Sequence, residues 1–200
     1  NMTVTLTVTD INGNDTECTF TVTKVDQTPP TISCPATQTL VLGANCTATL
    51  PNYTSLATTG DNCGVQSVTQ SPTAGTSVSG SGNMTVTLIV TDVNGNDTEC
   101  TFTVTKVDNT PPTLVCKNTT VFIGNTGTYT FQPADVFNAT ASSDNCSGAL
   151  TVTNISPAMV SCAQLNQTIP VTVTVQDGSG NTATCVAQIN VQEGIALPTG

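Results

Sequence analysis

Two residue types in this chain have the chemistry and the spacing to do more than pack: acids gathered in loops, and cysteines. Asp26, Asp61, Asp92, Asp97, Asp108, Asp144 and Asp177 fall in linkers, in Asp-Asn-Cys loops or in closing turns, and of thirteen acids only Asp135 and Glu193 lie outside such places. Carboxylate and amide oxygens are hard donors that suit Ca2+ at ~2.3–2.6 Å. Gathered like charges repel unless a cation screens them, and the chain has no arginine to do so. A second reading stands beside the first, because Asp and Asn favour turns simply by bonding their own backbone. The seven aspartates are thus candidate metal ligands at domain junctions. No cofactor is demanded by the sequence, and Ca2+ is the one it suggests.

The nine cysteines have no histidine and no Cys-x-x-Cys spacing to make them zinc ligands. They read as disulfides formed in an oxidising, extracellular compartment.

What is missing narrows the chemistry further. Without histidine, a serine or threonine nucleophile would need one of three lysines as its base, and none lies in a recognisable motif. An enzyme is not expected. A net charge of −10 repels nucleic acid and anionic membrane surfaces. No apolar run reaches the ~20 residues of a membrane helix, so membrane insertion is not expected either.

The elements that must position these residues are written twice. Residues 1–31 and 83–113 are identical except at Thr7/Ile89, Ile11/Val93 and Gln27/Asn109. In each copy two runs of alternating apolar residue and threonine, Met84–Val90 and Cys100–Val104 in the second, predict strands with one buried face. The Asn94-Gly95 pair between them predicts a type I′ hairpin turn, and Pro111-Pro112 stops the sheet. The chain therefore divides into the closing hairpin of one domain (1–26), a complete domain (27–108), a divergent third (109–193) and a linker or the start of another module (194–200). Short strands with turn signals every 8–12 residues make the fold class all-β, tandem immunoglobulin-like sandwiches stapled by disulfides. In such a sandwich the entry linker, the second inter-strand loop and the last hairpin turn share one pole. That pole would collect Asp26, Asp61 and the Asp92–Asp97 turn in one domain, and Asp108, Asp144 and Asp177 in the next.

Four cysteines in the complete domain allow three connectivities. Gly127 holds the position of Cys46 in the third domain, which gains Cys162 instead. If Cys146 kept a partner role and changed partner, the pairs are Cys146–Cys162 and Cys46–Cys63, with Cys34–Cys100 and Cys116–Cys185 left by elimination and Cys18 pairing upstream.

Ile32-Ser33-Cys34-Pro35, Asp61-Asn62-Cys63-Gly64, Thr91-Asp92-Val93-Asn94-Gly95-Asn96 and Cys100-Thr101-Phe102-Thr103-Val104 together resemble the hyalin (HYR) repeat, an immunoglobulin-like extracellular module. The resemblance covers nearly the whole chain. It departs at Lys117, where proline is expected, and at Gly127. In that family the cysteine of the Cys-Pro motif and that of the last strand are the usual pair, which agrees with Cys34–Cys100. The Thr-rich tandem form is similar to giant surface adhesins of gliding Bacteroidota exported by the type IX system. The resemblance implies a cell-surface stalk or filament shaft serving adhesion and gliding motility, whose partners are neighbouring repeats and laterally associated copies. A second reading has the loops binding a surface glycan or protein, and a third has outward threonine rows binding ice.

Overall fold

The computed structural model of this 200-residue chain describes residues 1–146 and 148–194. Beyond Gly194, the expectation for 194–200 lies outside the described residues. The fold is all-β. In chain order the strands are β1 (Met2–Thr9) and β2 (Asp15–Val22); then β3 (Thr31–Ser33), β4 (Gln38–Val41), β5 (Thr47–Thr49), β6 (Thr58–Gly60), β7 (Val65–Ser71), β8 (Ser77–Ser79), β9 (Gly82–Asp92) and β10 (Asp97–Val107). The last set is β11 (Thr119–Ile123), β12 (Thr128–Thr130), the one-turn helix α1 (Pro133–Val136), β13 (Thr151–Ser156), β14 (Met159–Ser161), β15 (Thr168–Gln176) and β16 (Thr182–Glu193).

The chain forms two compact units, and the division runs through the second repeat. One unit holds Asn1–Ala36, Pro51–Ala74 and Thr85–Phe102; the other holds Thr37–Leu50, Gly75–Met84 and Thr103–Gly200. In the first unit β1 and β2 pair antiparallel from Met2↔Val22 to Thr9↔Asp15, β3 pairs with β6 and β7 with the latter half of β9. Alternation puts Val86, Leu88 and Val90 wholly inside, where burial of each is worth about 1.5–3 kcal/mol. Leu6 and Val8, the same positions of the first copy, stand 52% and 70% exposed.

In the second unit β4 runs parallel to the end of β10, from Gln38↔Val104 to Val41↔Val107. The four-stranded sheet has the order β4-β10-β9-β7, and the third repeat copies it as β11-β16-β15-β13 with β11 again parallel to β16. Val121, Val136, Val171, Val173, Val175, Ile189 and Val191 fill that repeat's core. The single strand expected over Ile32–Val41 is two, β3 and β4, in different sheets. Pro35 has no backbone donor to continue a ladder, which frees the chain to cross over. Lys117 stands where proline is the rule in the resembled family, and its N–H donates to the carbonyl of Val136 at 2.8 Å. Here the departure supplies a donor that proline lacks.

The expected type I′ turn is not formed. Only Gly95 in that turn has positive φ, at 91°, and its N–H bonds the carbonyl of Asp92 while Asp92 N–H bonds that of Asn96. This is the three-residue form, a type I turn closed by a left-handed glycine. Asp92 causes the difference: its carboxylate takes the N–H groups of Asn94 and Asn96 at 2.9 and 2.8 Å, holding Asn94 at negative φ.

Candidate metal centre and the cysteines

Three turns of the chain build the same carboxylate cradle. In each, one Asp oxygen accepts the N–H groups two and four residues on, and the other accepts the side-chain amide of the asparagine four residues on: Asp10 with Asn12 and Asn14, Asp92 with Asn94 and Asn96, Asp177 with Ser179 and Asn181. Asp92 is fully buried and Asp177 nearly so. Burial opposes the charge on Asp92, but the Asn96 amide and the surrounding N–H groups outweigh it and hold the carboxyl below its ordinary range.

Each cradle in the second and third repeats has two more aspartates beside it. Asp26, Asp61 and Asp92 offer carboxylate oxygens that all lie within 4.8 Å of one another, and Asp108, Asp144 and Asp177 do the same. Each group takes one member from the linker, one from the Asp-Asn-Cys loop and one from the closing turn. Asp97 is in neither; it is exposed at the start of β10.

Amide donors knit each group together. Asn62 and Asn94 donate to the Asp26 carboxylate at 3.3 and 3.1 Å, and Asn96 donates to its carbonyl. Asn145 donates to Asp108 at 3.2 Å and also to the Gly43 carbonyl, while Asn181 donates to the carbonyls of Asp108 and Thr110. The Thr28 N–H, then Asn62 and the Cys63 thiol, hold Asp26 below its usual pKa. Burial raises that of Asp108, but the Thr110 N–H and the Asn145 amide bring it below the ordinary value.

The residues fit a hard cation on an observation independent of their count. Among the described residues, the buried side-chain oxygens left without a hydrogen-bond donor are Asp61 Oδ1 at one group and Asp108 Oδ2, Asp144 Oδ1 and Asn145 Oδ1 at the other. Asp61 and Asp144 are equivalent, so the same oxygen stands bare in both. A bare buried carboxylate oxygen carries a desolvation cost that a cation would offset.

The cysteines correct one expectation. Cys34 is bonded to Cys100 and Cys116 to Cys185, with Cα atoms 5.8 and 5.7 Å apart. Cys46, however, is bonded to Cys146, not to Cys63, and Cys162 is free rather than joined to Cys146. This pair crosses from one repeat to the next, so the cysteines within a single repeat do not contain it. Cys46 occupies the turn after β4, with φ 55°, and meets Cys146 of the next repeat's loop, packed with Leu42 and Ala48 in a small apolar cluster. Cys63 is exposed, and its thiol is held protonated by its hydrogen bond to Asp26, then by burial and the surrounding carboxylates.

Residues 25–106 match the HYR domain. Hyalin of Lytechinus variegatus is 32% identical over 207 residues, covering 98% of this chain and 37% of hyalin, so the chain spans well under half of that relative. Among solved structures, titin domains I67–I69 in an E-to-A variant are 10% identical, covering 95% of this chain and 74% of theirs, with a TM-score of 0.45. Human mucin-like protocadherin EC1-2 is 13% identical, covering 82% and 98%, with a TM-score of 0.42.

Proposed function

We propose, starting from a chain that carries a hyalin-type HYR repeat, that these domains are stalk or spacer repeats of an extracellular, cell-surface adhesin or filament. Ca2+ at the aspartate groups would lock each linker to the repeat that follows. The observation that carries this reading is the origin of each group, one aspartate from the linker and two from the repeat that follows it. A cation shared among them ties the joint shut without any residue of a catalytic kind. Three disulfides favour an extracellular setting.

The tyrosines favour a spacer over a sugar-binding platform. Tyr53 packs edge-on against Phe102, and Tyr129 packs against Phe131 with its hydroxyl on Asp135 at 2.9 Å. Tyr53 is buried and Tyr129 half-buried, so neither ring stands fully exposed on the surface. The repeats at 27–108 and 109–193 would then be the mechanical unit, with the adhesive target, a surface glycan or protein, met elsewhere. Lateral association of copies into a filament belongs to the same proposal, as does a role in gliding.

Small-angle scattering and thermal melting of the 200-residue chain test it. Millimolar calcium should narrow the distribution of interatomic distances and raise the melting temperature relative to chelator. The paired change Asp108→Asn and Asp144→Asn should reduce both responses. Identical curves with calcium and chelator would reduce the aspartates to turn residues.

A further inference from the structure

Cys46–Cys146 is one bond of a kind the chain is built to make more than once. It joins an exit turn to the entry loop of the following repeat, and each half has a second copy in this sequence.

The entry half recurs at Cys63. Cys146 N–H donates to Asp144 Oδ2 at 2.9 Å, and Cys63 N–H to Asp61 Oδ2 at 2.7 Å. Asn145 Nδ2 reaches Asp108 and the Cys146 sulfur at 3.2 and 3.6 Å; Asn62 Nδ2 reaches Asp26 and the Cys63 sulfur at 3.3 and 3.4 Å. The two cysteines have the same partners in the same order, yet one is bonded and the other free.

The exit half recurs at Cys162. Gly127 takes the place of Cys46, with φ 72° against 55°, and its N–H bonds Gly124 as that of Cys46 bonds Gly43. Across the turn, Cys162 N–H donates to the Gly127 carbonyl as Gly80 N–H donates to that of Cys46. A Cβ built on Gly127 would lie 3.7 Å from the Cys162 sulfur. The thiol has moved to the facing residue and stayed at the same turn, so the exchange of Cys46 for Cys162 conserves an outgoing sulfur.

We propose that Cys63 is the receiving half of a further inter-repeat disulfide, its partner being the exit-turn cysteine of another repeat of this type, and that Cys162 is an outgoing half. The bond forms by two thiols giving up two protons and two electrons to a disulfide-bearing oxidant, which is reduced to its dithiol. It does not depend on a cation at the aspartates.

The test inserts a second copy of residues 27–108 after Asp108 of the full chain, and maps disulfides in monomeric protein whose Cys34–Cys100 and Cys116–Cys185 bonds are closed. Expected are Cys46 bonded to Cys63 of the inserted copy, Cys46 of that copy bonded to Cys146, and the original Cys63 open to maleimide. Cys46→Ser in the first copy should then expose the inserted Cys63 to labelling. A second chain, in which residues 108–193 are repeated directly after Gln192, should bond Cys162 to the added Cys146. A free inserted Cys63, a bond from it to Cys46 of its own copy, or a free Cys162 in the second chain overturns the proposal.

Discussion

At the scale of single residues, Asp92 holds the closing turn while Asp97, five positions on, is exposed at the start of β10. The three donors on Asp92 lie at 2.7–2.9 Å in a site with no solvent exposure. Asp92→Ala should therefore lower the melting temperature clearly, and Asp97→Ala should leave it within a degree or so, as surface changes away from such features do. Equal effects in a thermal melt would refute the distinction. The same hydrogen bonds make the protein acid-sensitive. Asp26, Asp92 and Asp108 have depressed folded pKa values. Their contribution is complete above the unfolded value of ~3.9 and is lost as pH falls through the folded one. The melting temperature should accordingly hold from neutrality to about pH 5 and fall below about pH 4; a flat profile down to pH 3 would contradict it.

At the scale of elements, one hairpin sequence exists in two states of burial. Leu88→Ala removes a side chain with no exposed surface and should cost about 2–5 kcal/mol. Leu6→Ala, at the matching position of β1, should cost far less in this chain, since that side chain is half in water. Denaturant melts of the two variants check the contrast. The strands were legible because threonine and apolar residues alternate so strictly, and the gathering of Asp26, Asp61 and Asp92 followed from the sandwich topology. Two elements were not legible. The turn after β9 takes its form from Asp92, which captures the backbone before Asn94 can adopt positive φ. The break between β3 and β4 depends on Pro35, a residue that reads in sequence only as part of a cysteine motif. Cys46 was misassigned for a different reason: its partner lies beyond the linker, and comparison within one repeat cannot see it. The recurrence of Asn-Cys after Asp61 and Asp144 marks Cys63 and Cys146 as equivalents, but it carries no sign of which repeat supplies the partner of either.

At the scale of the molecule, Cys46–Cys146 should govern the joint without governing the folds it connects. Cys46→Ser should leave Cys34–Cys100 and Cys116–Cys185 formed, shift the melting temperature little, and broaden the distance distribution in solution scattering; an unchanged distribution would show that Asn145 and the linker suffice. Taken along the chain, the Cys34–Cys100 bond has a consequence for tension. Where the Cys46–Cys146 bond is open, load applied to the linkers of the second repeat enters near β3 and leaves at the end of β10, where β4 lies parallel and its hydrogen bonds are sheared together rather than unzipped in turn. Should they fail, the bond keeps a stretch of separation 66 out of reach. Only about fifteen residues can then pay out, ~50 Å at ~3.5 Å each, in place of the ~280 Å of an unlocked repeat. A tether made this way gives by tens of ångströms per repeat under a pull and then goes taut, its ruptured modules still short enough to refold against the core they never left.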